Sequence, residues 1–457
     1  MSARDPGLLA DLREVVGGDQ VIDDPEVTAS YAVDWTGRFR GPSAVVVRPG
    51  STTEVAAVLA VFRRREVPVV PQGGNTGMVG GGVPLAGELV VSVRRLDAVG
   101  AVDRLAGQVT VGGGATLGAV RRAAADAGWA YGVDFAARDS CTVGGNVGTN
   151  AGGLRVLRYG DTRAQVLGVE AVLGTGLVVS HLGGLLKDNT GYALPALLCG
   201  SEGTLGVVTA VRLRLVPPSP HRVVALLGFA STAAAVTAAA ELRRRLPVLS
   251  AAELMVQSGV ALVCRTIGLP PPLAAPHPAY LLVEAAGEAD PTGELAAAVD
   301  GLDGVAEVAV AEDSVRAAAL WRYREAHTEA VNAVGTPHKM DVTLPAAALA
   351  EFVDRVPAEV AAVVPGARTW LFGHVADGNV HVNVTGLDPD DDRVDDAVLL
   401  LAAGYGGSIS AEHGIGTAKR RWLHLNRSPA EIDAFRAVKR ALDPDGILNP
   451  NVLLPAP

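Results

Sequence analysis

The sequence predicts an α+β protein built as two domains, and three observations carry that prediction. A strand–helix–strand unit over residues 44–70 is followed by short strands and glycine turns to about Leu215. Pro217-Pro218-Ser219-Pro220 is the strongest linker signal in the chain, because clustered prolines and serine interrupt both helix and sheet. Beyond it, strands and longer helices alternate to about residue 420. A length of 457 residues fits two or three domains of roughly 150 residues each.

The elements follow in order. Ala44-Val45-Val46-Val47 reads as a strand, Thr52 to Arg65 as a helix, and Val67-Pro68-Val69-Val70 as the next strand. Ser51 or Thr52 can cap that helix, with Glu54 in its first turn. Leu89–Val93, Val109–Val111, Val166–Leu173 and Thr204–Leu215 are the clearest further strands. Val223 to Ala240 is uncharged for eighteen residues, long enough to ask about a membrane. Ser231, Thr232 and Thr237 interrupt it, and it divides into a strand, Val223–Phe229, and an alanine-rich helix, Thr232–Arg245. A spanning helix is the poorer reading. Asp388 to Asp396 reads as an acidic, solvated loop, Pro429 to Leu442 as a helix, and Asp443 to Pro450 as a turn-rich end.

Composition removes several function classes. Hydrophobic residues make up 49% and charged residues 19%, ample for a buried core and unlike a disordered tail. A net charge of −10 argues against nucleic acid, whose binding requires cations at the phosphates. Arg63-Arg64-Arg65 and Arg243-Arg244-Arg245 read as solvated helix faces. Cys141, Cys199 and Cys264 are sparse and lack CxxC spacing, which fits a reducing, cytoplasmic setting. Arg4, Asp5, Asp11 and Arg13 stand where an export signal would need apolar residues.

The first half is rich in glycine loops. Pro71-Gln72-Gly73-Gly74-Asn75-Thr76-Gly77-Met78-Val79-Gly80-Gly81-Gly82 follows a strand directly. Glycines without Cβ let backbone amides converge on an anion. A second loop runs from Ser140 to Gly153, with Asn146, Thr149 and Asn150 placed between Gly144, Gly145, Gly148 and Gly152. A third, Gly200-Ser201-Glu202-Gly203-Thr204-Leu205-Gly206, opens a strand. One glycine cluster is most often an ordinary turn; three in one region point to a large phosphate-bearing ligand. Val111-Gly112-Gly113-Gly114-Ala115-Thr116-Leu117-Gly118 imitates a dinucleotide fingerprint but puts Leu117 where the third glycine belongs. It reads as a structural turn, and a nicotinamide site is not supported.

The second half offers different chemistry. Leu371-Phe372-Gly373-His374-Val375-Ala376-Asp377-Gly378-Asn379-Val380-His381-Val382-Asn383 puts two imidazoles around a tight turn. Ser410-Ala411-Glu412-His413-Gly414-Ile415-Gly416 adds a carboxylate and a third imidazole. Two imidazoles and a carboxylate suit a catalytic divalent metal with one open position. His413 could then act as a base beside it. Strand alternation puts His381 and Asn383 on one face. Trp321, Arg324 and Thr328 fall at helical spacing, and Lys339 alternates with apolar Met340 and Val342. A guanidinium and an ammonium suit a carboxylate. Structural salt bridges, such as Arg324 to Glu325 or Lys339 to Asp341, are the competing reading.

These strings resemble a known family. PQGGNTGMVGGGVP, SCTVGGNVGTNAGGLRVLRYG, KDNTGY and GSEGTLGVVT look like the FAD-binding domain of the vanillyl-alcohol oxidase/PCMH flavoproteins. GHVADGNVHVN, AEHGIG and LDPDGILNP extend the likeness over nearly the whole chain. Within it the chain is most similar to the D-2-hydroxyglutarate dehydrogenase group, beside D-lactate dehydrogenase and the glycolate oxidase flavin subunit. The resemblance implies a PCMH-type FAD-binding domain of two α/β subdomains over residues 1–219. It implies an α+β cap with an antiparallel sheet over 220–420, and a segment, 421–457, returning to the FAD domain.

It also implies roles. Pro71, Gly73, Gly74, Asn75, Thr76, Gly77, Ser140, Gly144, Gly145, Asn146, Thr149, Asn150, Gly152, Gly206 and Asn449 would line FAD. The first loop has no histidine to bond the flavin covalently, so FAD is expected to be non-covalent. His374, His381 and Glu412 would hold zinc or manganese, and His413 would be the base. Arg324, Thr328, Lys339 and Asn383 would bind the acid. An imidazole of pKa ~6.5 falls about nine units short of a hydroxyl near ~16, and a metal that brings bound water to ~7 closes that gap. The implied reaction is oxidation of a D-2-hydroxy acid, D-2-hydroxyglutarate first, with hydride passing to flavin N5. D-lactate and glycolate are the near alternatives, and a metallohydrolase or a non-catalytic flavin subunit the remote ones. An electron-transfer flavoprotein or quinone would accept the electrons, and the protein would be a homodimer. Ala376 replaces a common glycine and Asn451 another; neither departure removes a named ligand.

Overall fold

The computed structural model describes residues 4–42, 45–311 and 313–455; Ala44, at the head of the first expected strand, lies outside them. Two compact units divide the chain. One comprises Met1–Gly153, Tyr159–Pro217 and Glu412–Pro457, the other Leu154–Arg158 and Pro218–Ala411.

The first unit holds two four-stranded sheets. In one the order is Val21–Ile22, Val46–Val47, Leu89–Ser92, Val69–Gln72, parallel apart from the first strand. The helix Thr52–Arg65 crosses over between two of these strands and buries Val55, Val58, Leu59 and Phe62. That spacing of three, four and seven residues makes one apolar stripe. Ser51 Oγ accepts the Glu54 amide at 3.1 Å and the Glu54 carboxylate accepts the Gly50 amide at 2.7 Å, satisfying amides the first turn leaves open. Each stripe residue withdrawn from water contributes about 1.5–3 kcal/mol. The C-terminal helix, Pro429–Leu442, starts with a capping box between Ser428 and Glu431.

The second sheet of this unit is antiparallel, in the order Gln108–Gly112, Gly206–Arg214, Val166–Leu173, Val178–His181. Against it the second glycine-rich segment departs from the open loop expected. Val143–Thr149 is helical, with Thr142 as its cap and Asn150 left-handed at its end. Val143 and Val147, four residues apart, bury into the core with Val109, Val211 and Leu213; that pairing outweighs the glycines' reluctance to be helical.

The second unit is built on one seven-stranded antiparallel sheet. Its order is Val305–Ala311, His221–Phe229, Ala279–Gly287, Leu249–Val256, Arg368–His374, Asn379–Thr385, His338–Thr343. Register fixes which side chains share a face. Glu253 pairs with His374, Phe372 with His381, and His381 and Asn383 with Asp341 and Lys339. Because cross-strand partners point the same way, all of these lie on one side of the sheet. The same side carries Leu226, Met255, Leu282 and Trp370 into a core with Val260, Val263 and Val331.

Two expectations change here. The segment holding Trp321, Arg324 and Thr328 is two helices, Ser314–Glu325 and His327–Asn332, broken at Ala326. Nor is the acidic stretch wholly solvated: Asp395 is buried against His338, Nδ1 to Oδ2 at 2.5 Å, inside the helix Arg393–Gly404. Among the described residues no helix is long and apolar enough to cross a membrane.

Candidate active site

In the first unit the glycine loops meet one another. A Cβ on Gly73 would lie 2.1 Å from Thr142 Oγ1, and one on Gly74 2.1 Å from the Ser140 carbonyl oxygen, so only glycine permits the approach. Arg94 donates from Nε to the Gly73 carbonyl at 3.1 Å and from Nη2 to the Gly74 carbonyl at 3.0 Å. Among the described residues the amides from Gly73 to Gly77 donate to no protein acceptor. A run of unsatisfied amides in a turn is an anion cradle. These residues therefore fit a cofactor pyrophosphate, and Ser30, Asp34, Trp35, Gln72, Asn75 and Arg94 line a cleft of about 340 Å³ beside them.

The polar side chains expected around the cofactor serve the loops themselves. Asn75, at φ 56°, donates to the carbonyls of Ser30 and Val33 at 3.2 and 2.8 Å. Asn150 donates to Asp161 at 2.7 Å and accepts the Arg163 amide at 2.9 Å. Thr149 Oγ1 donates back to the Gly145 carbonyl at 3.1 Å. Asn449 spans two loops through Gly81 O at 2.9 Å and Glu202 O at 2.8 Å. Asn146 is buried within its short helix. Backbone, more than carboxamide, is what the Gly73–Gly77 loop presents to a phosphate; the first amides of Val143–Thr149 are already bonded to Ala115, Gly113 and Thr142.

Glu202 is the group the sequence reading passed over in this unit. Its carboxylate accepts the Ile415 amide at 2.8 Å and the Gly416 amide at 2.7 Å, tying the Glu412–Gly416 turn to the third glycine loop. Burial pushes its carboxyl up to about 7, against the pull of those two amides. In the same turn Glu412 Oε2 accepts the Gly153 amide at 2.9 Å, and His413 Nε2 lies 3.9 Å from Glu412 Oε1.

In the second unit the hairpin brings His374 and His381 together, ring centroids 5.2 Å apart and nearly perpendicular. Gly378 makes the turn possible: its φ is +85°, and a Cβ there would meet the Leu344 carbonyl oxygen at 2.5 Å. Each imidazole turns Nδ1 to a buried carboxylate. His374 Nδ1 lies 2.6 Å from Glu253 Oε1, and His381 Nδ1 lies 3.5 Å from Asp341 Oδ1. At His374 the hydrogen-bonded carboxylate puts the proton on Nδ1 and the lone pair on Nε2, the usual arrangement of a metal-binding histidine. The donor set therefore fits a divalent cation. Asp341 also takes Asn379 Nδ2 at 2.6 Å and the Ala411 amide at 3.1 Å; Glu412 is the next residue in the chain.

Arg324 and Lys339 stand on the same side of this sheet. Arg324 Nε donates to Glu253 Oε2 at 2.6 Å, and its guanidinium carbon lies 4.6 Å from the centre of the Phe372 ring. Burial would push the Glu253 carboxyl up, but His374 and Arg324, by charge and hydrogen bond, hold it below the usual carboxylate range. The salt-bridge partner of Arg324 is thus Glu253, not the neighbouring Glu325. Burial pulls Lys339 down to about 8. Asn383 Nδ2 reaches the Trp370 carbonyl at 3.5 Å, and Thr328 is half-buried in the first turn of His327–Asn332. Beside it His327, which the sequence reading did not single out, is fully buried with Nδ1 2.7 Å from the Tyr323 carbonyl. Burial first, then the Arg324 charge, brings its pKa to about 3, so it is a neutral ring.

Comparison with known proteins gives the family of the chain. The family described as FAD binding domain matches residues 42–181, and that described as FAD linked oxidases, C-terminal domain, matches residues 218–453. The chain belongs to the FAD-linked oxidase family of oxidoreductases. Among its relatives, the D-2-hydroxyglutarate dehydrogenase, mitochondrial, of Bos taurus is 40% identical, covering 98% of this chain and 83% of the relative. The D-2-hydroxyglutarate dehydrogenase of Xanthomonas citri pv. viticola is also 40% identical, covering 98% and 97%. A crystal structure of p-cresol methylhydroxylase with substrate bound has a TM-score of 0.79 at 16% identity, over 98% of this chain and 96% of that one. It shares the fold.

Proposed function

We propose that this chain is an FAD-dependent dehydrogenase that oxidises a D-2-hydroxy acid, D-2-hydroxyglutarate first, to the 2-oxo acid. The observation that supports this most is the polar side of the seven-stranded sheet. There two imidazoles with carboxylates at Nδ1 share a face with a lysine, and one of those carboxylates also binds an arginine. The full-length likeness to D-2-hydroxyglutarate dehydrogenases supports the substrate.

On this reading non-covalent FAD is held by the loops at Pro71–Gly77, Ser140–Gly152 and Gly206, with Asn449 bracing them. His374, His381 and Glu412 hold the divalent cation, zinc or manganese. When bound, FAD supplies a two-electron acceptor and the cation a Lewis acid that brings the hydroxyl toward the ~7 of metal-bound water. Arg324 and Lys339 hold carboxylates of the substrate, and Thr328 and Asn383 orient it by hydrogen bonds. His413 takes the hydroxyl proton as the C2 hydrogen departs with its electron pair. The protein works in the cytoplasm as a homodimer and hands its electrons to an electron-transfer flavoprotein or a quinone.

A panel of D-2-hydroxyglutarate, D-lactate, D-malate and glycolate tests the substrate. The dicarboxylic acid should give the highest kcat/KM, because on this reading Arg324 and Lys339 each take one carboxylate; a strong preference for lactate would assign the chain to its nearest rival. Glu412→Gln tests the ligand set. Metal occupancy should fall while the yellow flavin stays bound, and unchanged occupancy would remove Glu412 from the site.

A further inference from the structure

We infer that Glu253 is a positioning residue, one carboxylate that fixes the ring of the metal ligand His374 with one oxygen and the substrate-binding guanidinium of Arg324 with the other. The inference rests on the reading of His374 and Arg324 proposed above and extends it to a residue outside that set.

Four observations carry it. Glu253 is fully buried in the apolar strand Leu249–Val256, where an unpartnered carboxylate would be expensive. Register pairs it with His374 across the adjacent strand. Its oxygens are divided: Oε1 lies 2.6 Å from His374 Nδ1 and Oε2 2.6 Å from Arg324 Nε. Finally, among the described residues Nε is the one guanidinium atom of Arg324 with a hydrogen-bond partner, which leaves the Nη1–Nη2 edge for a carboxylate in forked geometry.

Each bond has a chemical consequence. The first fixes the His374 tautomer, with the proton on Nδ1 and the lone pair on Nε2, and raises the basicity of that ligand. The second prevents the guanidinium from rotating about its own stem. A glutamine at 253 cannot do both. Its single carbonyl oxygen can serve one donor, and its NH2 group then faces the other N–H. The ring and the guanidinium would each lose their orientation even though the shape of the core is kept.

The test uses FAD-loaded full-length Glu253→Gln, stripped of metal and titrated with zinc chloride against a chromogenic chelator. Glu284→Gln is the control. It too removes a buried carboxylate of this unit, one that binds Ser250 and Trp321 at 2.7 and 3.1 Å and neither His374 nor Arg324. Loss of an outer partner of a metal-bound histidine costs about 10–100-fold in metal affinity. That loss is expected in Glu253→Gln and not in Glu284→Gln, together with a raised acid concentration for half-maximal flavin reduction. If Glu253→Gln does not accumulate as folded protein, Glu253→Asp, which keeps the charge but withdraws the oxygens, is read in the same way. Wild-type affinity in the folded Glu253 variant, or an equal loss in Glu284→Gln, overturns the role of Glu253 alone. A wild-type protein that binds no zinc overturns the metal reading as well.

Discussion

The glycine loops of the first unit and the sheet face of the second use polar side chains in opposite ways. Around Gly73–Gly77 and Val143–Thr149 the carboxamides are turned onto neighbouring carbonyls and acids, and at Gly73–Gly77 the backbone amides are left to meet an anion. On the sheet face the backbone is consumed by the ladder, and side chains bond side chains: Glu253 to His374 and Arg324, Asp341 to Asn379. The contrast teaches what each ligand demands. On the proposed reading, a large cofactor is met by chain shape, which glycine permits, whereas a small acid and a cation would need charges held in place by other charges.

Substitutions should therefore separate the two regions. The largest effect is expected from His413→Ala. If His413 is the proton acceptor, flavin reduction should slow by about 10²–10⁴-fold with FAD content unchanged. Stopped-flow traces with near-normal reduction would assign the base elsewhere.

Lys339 should give the next largest effect, and its sign follows from burial. A lysine brought down to about 8 is charged below that pH and neutral above it. KM for a dicarboxylic acid should rise above pH 8, by up to about tenfold per unit. Lys339→Arg keeps its charge throughout, because guanidinium titrates above ~12, and should flatten that rise. A KM profile identical in the two proteins would separate Lys339 from substrate binding.

The smallest effect belongs to the first unit. Glu202 accepts two amides, and Glu202→Gln leaves one of them facing an NH2 group, a loss of about 1–3 kcal/mol. The wild-type carboxyl is raised to about 7 from an ordinary value of 4.5. Between those values the folded chain holds a proton the unfolded chain has released, so stability falls as pH rises through this window. Glutamine cannot titrate, and the variant should lose that slope; parallel melting profiles from pH 4 to 8 would contradict the role of Glu202.

Much of this was legible in the chain. Helix Thr52–Arg65, strand Val166–Leu173 and helix Pro429–Leu442 run where caps, valine runs and apolar spacing indicated. The alternation of Lys339 with Met340 and Val342, and of His381 with Val380 and Val382, gave the polar side of its strands. What was missed depends on distant partners. Glu253 lies 71 residues from Arg324 and 121 from His374; the one available signal was a lone acid in an otherwise apolar strand. Glu202 stood inside a quoted motif, but its two amide partners lie more than two hundred residues on. Local pattern also failed where tertiary packing decided: Val143 and Val147 closed an expected loop into a helix, and His338 drew Asp395 out of solvent.

The most direct test of the central claim is anaerobic mixing of the FAD-loaded protein with D-2-hydroxyglutarate, before and after removal of bound metal. The yellow absorbance should bleach rapidly in the metal-loaded protein, slowly in the stripped protein, and rapidly again when zinc or manganese is restored. A flavin that stays oxidised with every hydroxy acid tried, or that bleaches equally fast without metal, would contradict it.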